Sequence, residues 1–308
     1  LALLRLIQGL SVGGELTTSI TYLIETAPNE KRGLMGSWTT FGAVGGILLG
    51  SLVGMAITGI LTEDQVHKFG WRIPFLMGST IGVAGLIMRS GIEEEDKPAQ
   101  NRSPGDILRH FFSEDLRKSI RVILGLWCFA TAFYMLFVYF PSYMHVHVDQ
   151  FKLDDALTIN TINMAILLGL TLLMGWLSDR WGRKRMLLIA LAALMIGSPI
   201  LFYGFDSGVF MTVLWFQMIF AVMISVMQGT VPALLAEQFD RISRLTSLSI
   251  SYNIALALFG GTTPMLCSWL IKEFGGNALM PGYYLSVSAL VSFIFILFFE
   301  SRLGQDLL

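Results

Sequence analysis

The chain has 308 residues, of which 54% are hydrophobic and only 14% charged, with a net charge of -1 and a mean hydropathy of +0.65. Soluble domains carry nearer a quarter charged residues, so this composition excludes an ordinary soluble globular protein and points to a polytopic membrane protein. The near-zero net charge argues against nucleic acid as a partner. Nine apolar runs long enough to cross a bilayer follow in order: residues 1–27, 34–61, 72–91, 120–143, 156–177, 186–205, 209–235, 246–271 and 281–299. Three precede and six follow a polar stretch from Glu93 to Lys118, the only long interruption. Cys128 and Cys267 both fall inside apolar runs, where packing rather than a disulfide is the expected role. The chain opens on Leu inside an apolar run, without a readable signal peptide, and the expectation is that its start is missing.

Five ionised side chains crowd into the stretch Gly175-Trp176-Leu177-Ser178-Asp179-Arg180-Trp181-Gly182-Arg183-Lys184-Arg185, between two apolar runs. Arg and Lys cost several kcal/mol at the centre of a bilayer, so this cluster must lie in water or headgroups. Gly175 lets a neighbouring helix approach closely, and Gly182 permits a tight turn. Of the 21 Lys and Arg residues, Arg5 lies within the first run; alternating spans put Lys68, Arg72, Lys152 and Lys272 on one side and the other sixteen on the side of this stretch. Short basic loops stay cytoplasmic, which places the stretch, the polar linker and the C-terminus in the cytoplasm of a multi-pass membrane protein.

A weak repeat divides the chain. Glu25 is followed seven residues later by Arg32, and Glu237 seven residues later by Arg244; a Gly-Gly step, Gly45-Gly46 or Gly260-Gly261, follows each pair. The pattern Gly-x-Leu-x-Asp-Arg-x-Gly-Arg-Lys at Gly175–Lys184 resembles the signature loop of the major facilitator superfamily. Over the first hundred residues, Arg5-Leu6-Ile7-Gln8-Gly9, Gly13-Gly14-Glu15, Pro28-x-x-Lys31-Arg32-Gly33, Gly36-Ser37-Trp38 and Gly70-Trp71-Arg72-Ile73-Pro74-Phe75 resemble the metabolite:proton symporter family. Tyr134-Met135-Leu136, Tyr139-x-Pro141-Ser142-Tyr143 and Met280-Pro281-x-Tyr283-Tyr284-Leu285 are similar to its proline/betaine branch.

The resemblance implies an all-α major facilitator fold with nine of twelve transmembrane helices present. Residues 1–92 would be the second half of an N-terminal six-helix bundle (helices 4–6), 93–119 the cytoplasmic inter-bundle linker, 120–300 a C-terminal six-helix bundle (helices 7–12) and 301–308 a cytoplasmic tail. Three N-terminal helices of the same protein would then be partners that this chain lacks.

Arg5 and Glu15 are the ionisable groups well inside a span, and with Gln8 and Tyr22 they fall on one stripe of the first helix. An intramembrane charge faces the bundle interior or a water-filled cavity, which makes Arg5 a candidate anchor for a substrate carboxylate and Glu15 a candidate proton site. A structural polar network is the alternative. Trp38, Gln217, Gln228, Tyr252 and Asn253 could line the pathway, and Tyr134 could attract a quaternary ammonium by cation–π contact, although packing is the stronger reading for aromatic residues in such helices. Tyr139 and Tyr143 are read as packing or interface aromatics, and Asn160 and Asn163 as further polar groups that could face a cavity. Gly42, Gly45, Gly46, Gly50 and Gly54 on the second span predict a close helix contact.

By the resemblance, Glu237 and Arg244 meet Asp179, Arg180, Arg183 and Lys184 in a gate on the cytoplasmic side, while Glu25 and Arg32 lack their counterpart loop. His145-x-His147-x-Asp149 is read as loop histidines rather than a metal site. No phosphate-binding glycine loop or nucleophile motif is found, so neither an enzyme nor an ATP-driven pump is expected. The function expected is proton-coupled symport of a small zwitterion or anion, such as proline, glycine betaine or a carboxylic acid, by alternating access and without a cofactor. The alternative is a non-transporting membrane sensor, or an inactive remnant of such a carrier.

Overall fold

A computed structural model describes residues 2–90, 104–148, 151–241 and 243–300, with residues 2–13 described by their backbone alone. All regular structure among them is helical. We number the elements α1 (Ala2–Thr26), α2 (Arg32–Ile60), α3 (Glu63–Lys68), α4 (Ile73–Ser90) and α5 (Pro104–His110). They are followed by α6 (Phe111–His147), α7 (Leu153–Trp181), α8 (Arg183–Phe205), α9 (Phe210–Ala236), α10 (Arg244–Glu273) and α11 (Met280–Ile296). Each of the nine expected spans coincides with one of these helices. Six helical runs, Asn29–Ile60 and α6 to α10, are long and apolar enough to cross a membrane.

Local chemistry sets the boundaries. Thr62 and Gln65 form a reciprocal capping box at the start of α3, each satisfying an amide that the first turn leaves open. Pro281 stands in the first turn of α11, where its missing N–H costs nothing. The signature stretch is not a loop of several residues: α7 runs to Trp181, α8 begins at Arg183, and Gly182 alone makes the break. Its φ of 92° is a conformation that glycine adopts without strain. The polar stretch expected as the linker is helical from Pro104 onward, and residues 91–103 lie outside the description. His145 and His147 belong to the last turn of α6 rather than to a loop, and His147 packs beside the Tyr143 ring at 5.5 Å; Asp149 lies outside the described residues.

The core lies chiefly among α6 to α11 and takes in Ile20 and Ile24 of α1 and Val44 of α2. Phe140, Tyr143, Phe202, Phe205 and Phe220 pack ring against ring across α6, α8 and α9, with several centroid separations of 5.2 to 6.0 Å. Tyr143 donates to Ala278 O at 2.9 Å, and Ser268 Oγ donates to Tyr139 OH at 3.2 Å, so both tyrosines are structural. Cys128 and Cys267 are buried free thiols.

Helix α6 makes a π turn at Tyr134–Tyr139, a register change that frees backbone carbonyls from the normal ladder. Gln217 Nε2 donates to Leu136 O at 2.8 Å and to Asn160 Oδ1 at 3.1 Å, Asn160 Nδ2 donates to Phe137 O at 3.2 Å, and Asn163 Nδ2 donates to Gln217 Oε1 at 3.1 Å.

Helices α1 and α2 lie against this body through α7, α9 and α10, while α4 touches α2 and the short turn Gly70–Arg72 that precedes it. The buried residues of α2 all fall between Arg32 and Val44. The glycines expected to make a close contact do not do so among the described residues: Gly42, Gly46, Gly50 and Gly54 have nothing within 4 Å of a built Cβ, and Gly45 meets only Leu168 at van der Waals distance. The tight glycines of α2 are Gly33 and Gly36, its second and fifth residues.

Candidate functional site: an ion-paired seam at the signature turn

The first amides of a helix have no partner within it. In α2 the residue before the helix is Lys31, whose side chain offers no cap. The open amides are satisfied instead by a carboxylate from another helix. Gly33 N–H donates to Asp179 Oδ1 at 2.7 Å and Leu34 N–H donates to Asp179 Oδ2 at 2.9 Å. A carboxylate held by two amides at a helix N-terminus is favoured by both hydrogen bonding and the helix dipole. The same Oδ1 accepts from Arg183 Nη2 at 2.7 Å, across the one-residue break at Gly182. Arg183 Nη1 donates to Glu237 Oε1, at the end of α9.

Arg183 and Glu237 are fully buried and Asp179 nearly so. The two amides of α2 add neutral donors to the Asp179 carboxylate beside the guanidinium. A buried ion pair contributes little net stability, but removing one partner strands a charge at a cost of about 3–5 kcal/mol.

The approach that makes this possible is built from glycine. A Cβ at Gly33 would fall 2.3 Å from Ser178 Oγ and 2.6 Å from Gly175 O. One at Gly175 would fall 2.4 Å from Ser37 Oγ and 2.8 Å from Gly33 O, and one at Gly229 would fall 2.5 Å from Gly175 N. Backbones of α2, α7 and α9 therefore touch in line at the level of the signature turn.

A second pair lies beside the first. Arg244 Nη1 donates to Glu25 Oε1 at 2.7 Å, linking α10 to α1, while Arg244 Nε donates to Ala236 O at 3.0 Å and Phe239 O at 3.3 Å. Glu25 thus pairs with Arg244 of α10, not with a second copy of the signature turn. The repeat Glu25…Arg32 and Glu237…Arg244 pairs crosswise: Glu25 with Arg244, and Glu237 with Arg183. Two uncharged contacts continue the seam, Thr17 Oγ1 with Ser249 Oγ at 2.7 Å and Thr40 Oγ1 donating to Gln228 O at 2.8 Å.

The remaining candidates are scattered. Arg180 is exposed, its guanidinium 3.8 Å from the centre of the Trp176 ring, and it stands apart from the carboxylates. Lys184 Nζ donates to Leu297 O at 2.7 Å and Phe299 O at 2.9 Å, so it holds the end of α11 rather than the seam. Arg32 is buried at the first position of α2. Glu15 is exposed, Tyr22 and Trp38 are about half exposed, and the side chains of Arg5 and Gln8 lie outside the description. Gln217 is buried with its amide committed to the π turn of α6, and Tyr252 is buried beside Phe129 at 6.2 Å. Asn253 Nδ2 donates to Ser249 O of its own helix. Tyr134 is half-buried, its ring against Gly260, where a Cβ would fall 2.7 Å from it.

Sequence reasoning missed the amides of Gly33 and Leu34, whose only signal was the absence of a capping side chain at Lys31. It also missed Gln238, which clasps Glu300 through both backbone groups, Nε2 donating to Glu300 O at 2.8 Å and Oε1 accepting from Glu300 N at 3.0 Å. A further buried contact, Ser247 Oγ donating to Asp115 Oδ2 at 2.6 Å, ties α10 to the start of α6.

The family profile described as Major Facilitator Superfamily matches residues 1–253 and again residues 153–306. The chain belongs to the major facilitator superfamily. Among proteins of this superfamily, a putative proline/betaine transporter of Staphylococcus aureus (strain COL) is 32% identical over 319 residues, covering 100% of this chain and 67% of the relative. The proline/betaine transporter of Escherichia coli (strain K12) is 34% identical over 308 residues, covering 96% of this chain and 61% of the relative. The chain thus spans about two thirds of the length of the curated relatives it matches, and its resemblance to the proline/betaine transporters is borne out. The proton:xylose symporter XylE aligns with a TM-score of 0.76 at 21% identity, covering 94% of this chain and 68% of that one. The transporter FucP in its outward conformation aligns at 0.64 and 15%, covering 92% of this chain and 72% of that one. These two likenesses establish the fold, a membrane-spanning facilitator architecture.

Proposed function

We propose that this protein is a proton-coupled symporter of a small zwitterionic or anionic metabolite, such as proline, glycine betaine or a carboxylic acid. It works by alternating access in a bacterial inner membrane, with the signature turn and the C-terminus in the cytoplasm. The proton gradient drives it and no cofactor takes part. Helices α1 to α4 belong to one bundle and α6 to α11 to the other, and rocking of the two exposes a central site to either side in turn. The observation that carries this reading is the Asp179 carboxylate seated on the open amides of α2, beside the Glu25–Arg244 pair. Such contacts join two bodies strongly enough to bias a conformation.

In this reading the seam is the closed cytoplasmic gate. Arg5 anchors a substrate carboxylate or controls proton release, and Glu15 carries the coupled proton. The names of the two relatives and the sixteen-to-four division of Lys and Arg support the substrate class and the orientation. The test is uptake of radiolabelled proline, glycine betaine and α-ketoglutarate by vesicles carrying the intact gene product under an imposed pH gradient. Uptake collapsed by a protonophore, and abolished by Glu15→Gln, is the expected result. Uptake indifferent to the gradient would overturn proton coupling, and undiminished gradient-driven uptake by Glu15→Gln would remove Glu15 as the proton site.

A further inference from the structure

The charges of the signature stretch divide into two sets. Asp179 and Arg183 are consumed in the seam, and Lys184 is consumed by two carbonyls at the end of α11. Arg180 and Arg185 face outward. Both are exposed, and Arg185 has no hydrogen-bond or ion-pair partner among the described residues.

Both arginines open onto grooves that run down the outer face of α8. One groove, about 680 Å³, lies between α8 and α11 and is lined by Lys184, Arg185, Leu188, Ile189, Ala192 and Phe293. A second, about 440 Å³, lies on the α7 side between Arg180, Trp181, Arg185, Met186 and Ile189. It passes into a third, about 280 Å³, whose walls are wholly apolar and include Leu177, Ala193 and Val226. No carboxylate lines any of the three. Beyond them Ile189, Ile196, Ile200 and Tyr203 form an exposed apolar stripe along α8, and Trp181, 64% exposed, stands at its head beside the two arginines. Cations and an indole at one end of apolar channels mark the height of the membrane–water interface.

We propose that this face of α8 binds one anionic phospholipid, its phosphate on Arg185 and Arg180 and its acyl chains in the grooves on either side of Ile189. The guanidinium fork suits a phosphate, and neither arginine has a carboxylate to satisfy it. The absence of any acidic group also explains the choice of an anionic lipid: a choline or ethanolamine headgroup would bring a second cation with nothing to receive it. The site stands independently of what the protein transports, and requires only that the helices span a bilayer.

The test is native mass spectrometry of the delipidated, intact protein titrated with phosphatidylglycerol or with phosphatidylcholine of the same chains. Phosphatidylglycerol is expected to bind preferentially. The double variant Arg180→Gln/Arg185→Gln should lose about fivefold per arginine, about 25-fold in all, and fall to the phosphatidylcholine level. A control of equal charge, Arg117→Gln/Arg241→Gln, removes two exposed cations of the same end and should leave binding as it was. If the double variant does not fold, Ala192→Trp fills the larger groove while keeping both arginines, and should lower phosphatidylglycerol binding. Equal binding of the two lipids, equal loss in the control pair, unchanged binding in both site variants, or displacement by soluble glycerol phosphate as effective as by the lipid would each overturn the proposal.

Discussion

Asp179→Asn tests the seam most directly. The substitution keeps size and shape but removes the charge and replaces one acceptor oxygen with an NH2 group. One of the two amides, Gly33 N–H at 2.7 Å or Leu34 N–H at 2.9 Å, then faces a donor. A hydrogen bond to a charged group contributes about 1.5–3 kcal/mol net, and the lost carboxylate–dipole attraction at the α2 terminus adds about 0.3–1 kcal/mol. The closed seam should weaken by about 2–4 kcal/mol, which is about 30- to 700-fold in the equilibrium constant. A seam closed 99:1 would fall to between about 3:1 and 1:7. Spin labels at Lys31 and Trp181, both exposed and on opposite sides of the seam, report the change by pulsed EPR without disturbing the core. The wild type should give one short, narrow distance, and Asp179→Asn a second, longer population. A distribution identical to wild type would refute the reasoning, because the amide caps would then not hold the seam.

Gly33→Ala should open the same seam with every charge intact, since its methyl would fall 2.3 Å from Ser178 Oγ and 2.6 Å from Gly175 O; the same pair of labels reads it. A double-mutant cycle of Glu25→Gln and Arg244→Met, scored by the same closed fraction, should give a coupling of about 0.5–3 kcal/mol, and additive effects would show the pair to be idle. Gln217→Leu should lower thermal stability in detergent by about 1–3 kcal/mol, because Leu136 O loses its donor inside the body of α6 to α11. Uptake, where it can be measured, should suffer more in Asp179→Asn than in Gln217→Leu.

The spans and the signature stretch were legible because both follow from the cost of placing charge in hydrocarbon. Nine apolar runs read as nine helices, and a cluster of five ionised groups has to lie outside the bilayer wherever the chain folds. Partner choice was not legible. Glu25 and Glu237 sit in equivalent places of a repeat, yet one pairs with Arg244 and the other with Arg183, because partners are set by which helix ends meet across the seam. Lys184 and Arg183 are neighbours in sequence, but a helix turns about 100° per residue, so one faces the carboxylates and the other the end of α11. The π turn at Tyr134–Tyr139 left no mark in hydropathy, so nothing in the sequence showed that the Gln217 amide is bonded to Leu136 O of that turn and to Asn160 and Asn163. Among the glycines of α2, spacing could not separate those pressed against another backbone from those facing open space.

The burial pattern of α2 carries one more consequence. Its buried residues end at Val44 and its packing on the core at Leu48, while the helix continues to Ile60. With the glycine seam as a fulcrum near Ser37, the length of α2 from there to Ile60 is about 23 residues, or about 35 Å. A tilt of about 10° at the fulcrum would carry the far end about 6 Å by that geometry, while the backbones at the pivot move by less than the width of an atom. A small rupture at the signature turn is thereby geared into a large displacement at the opposite face.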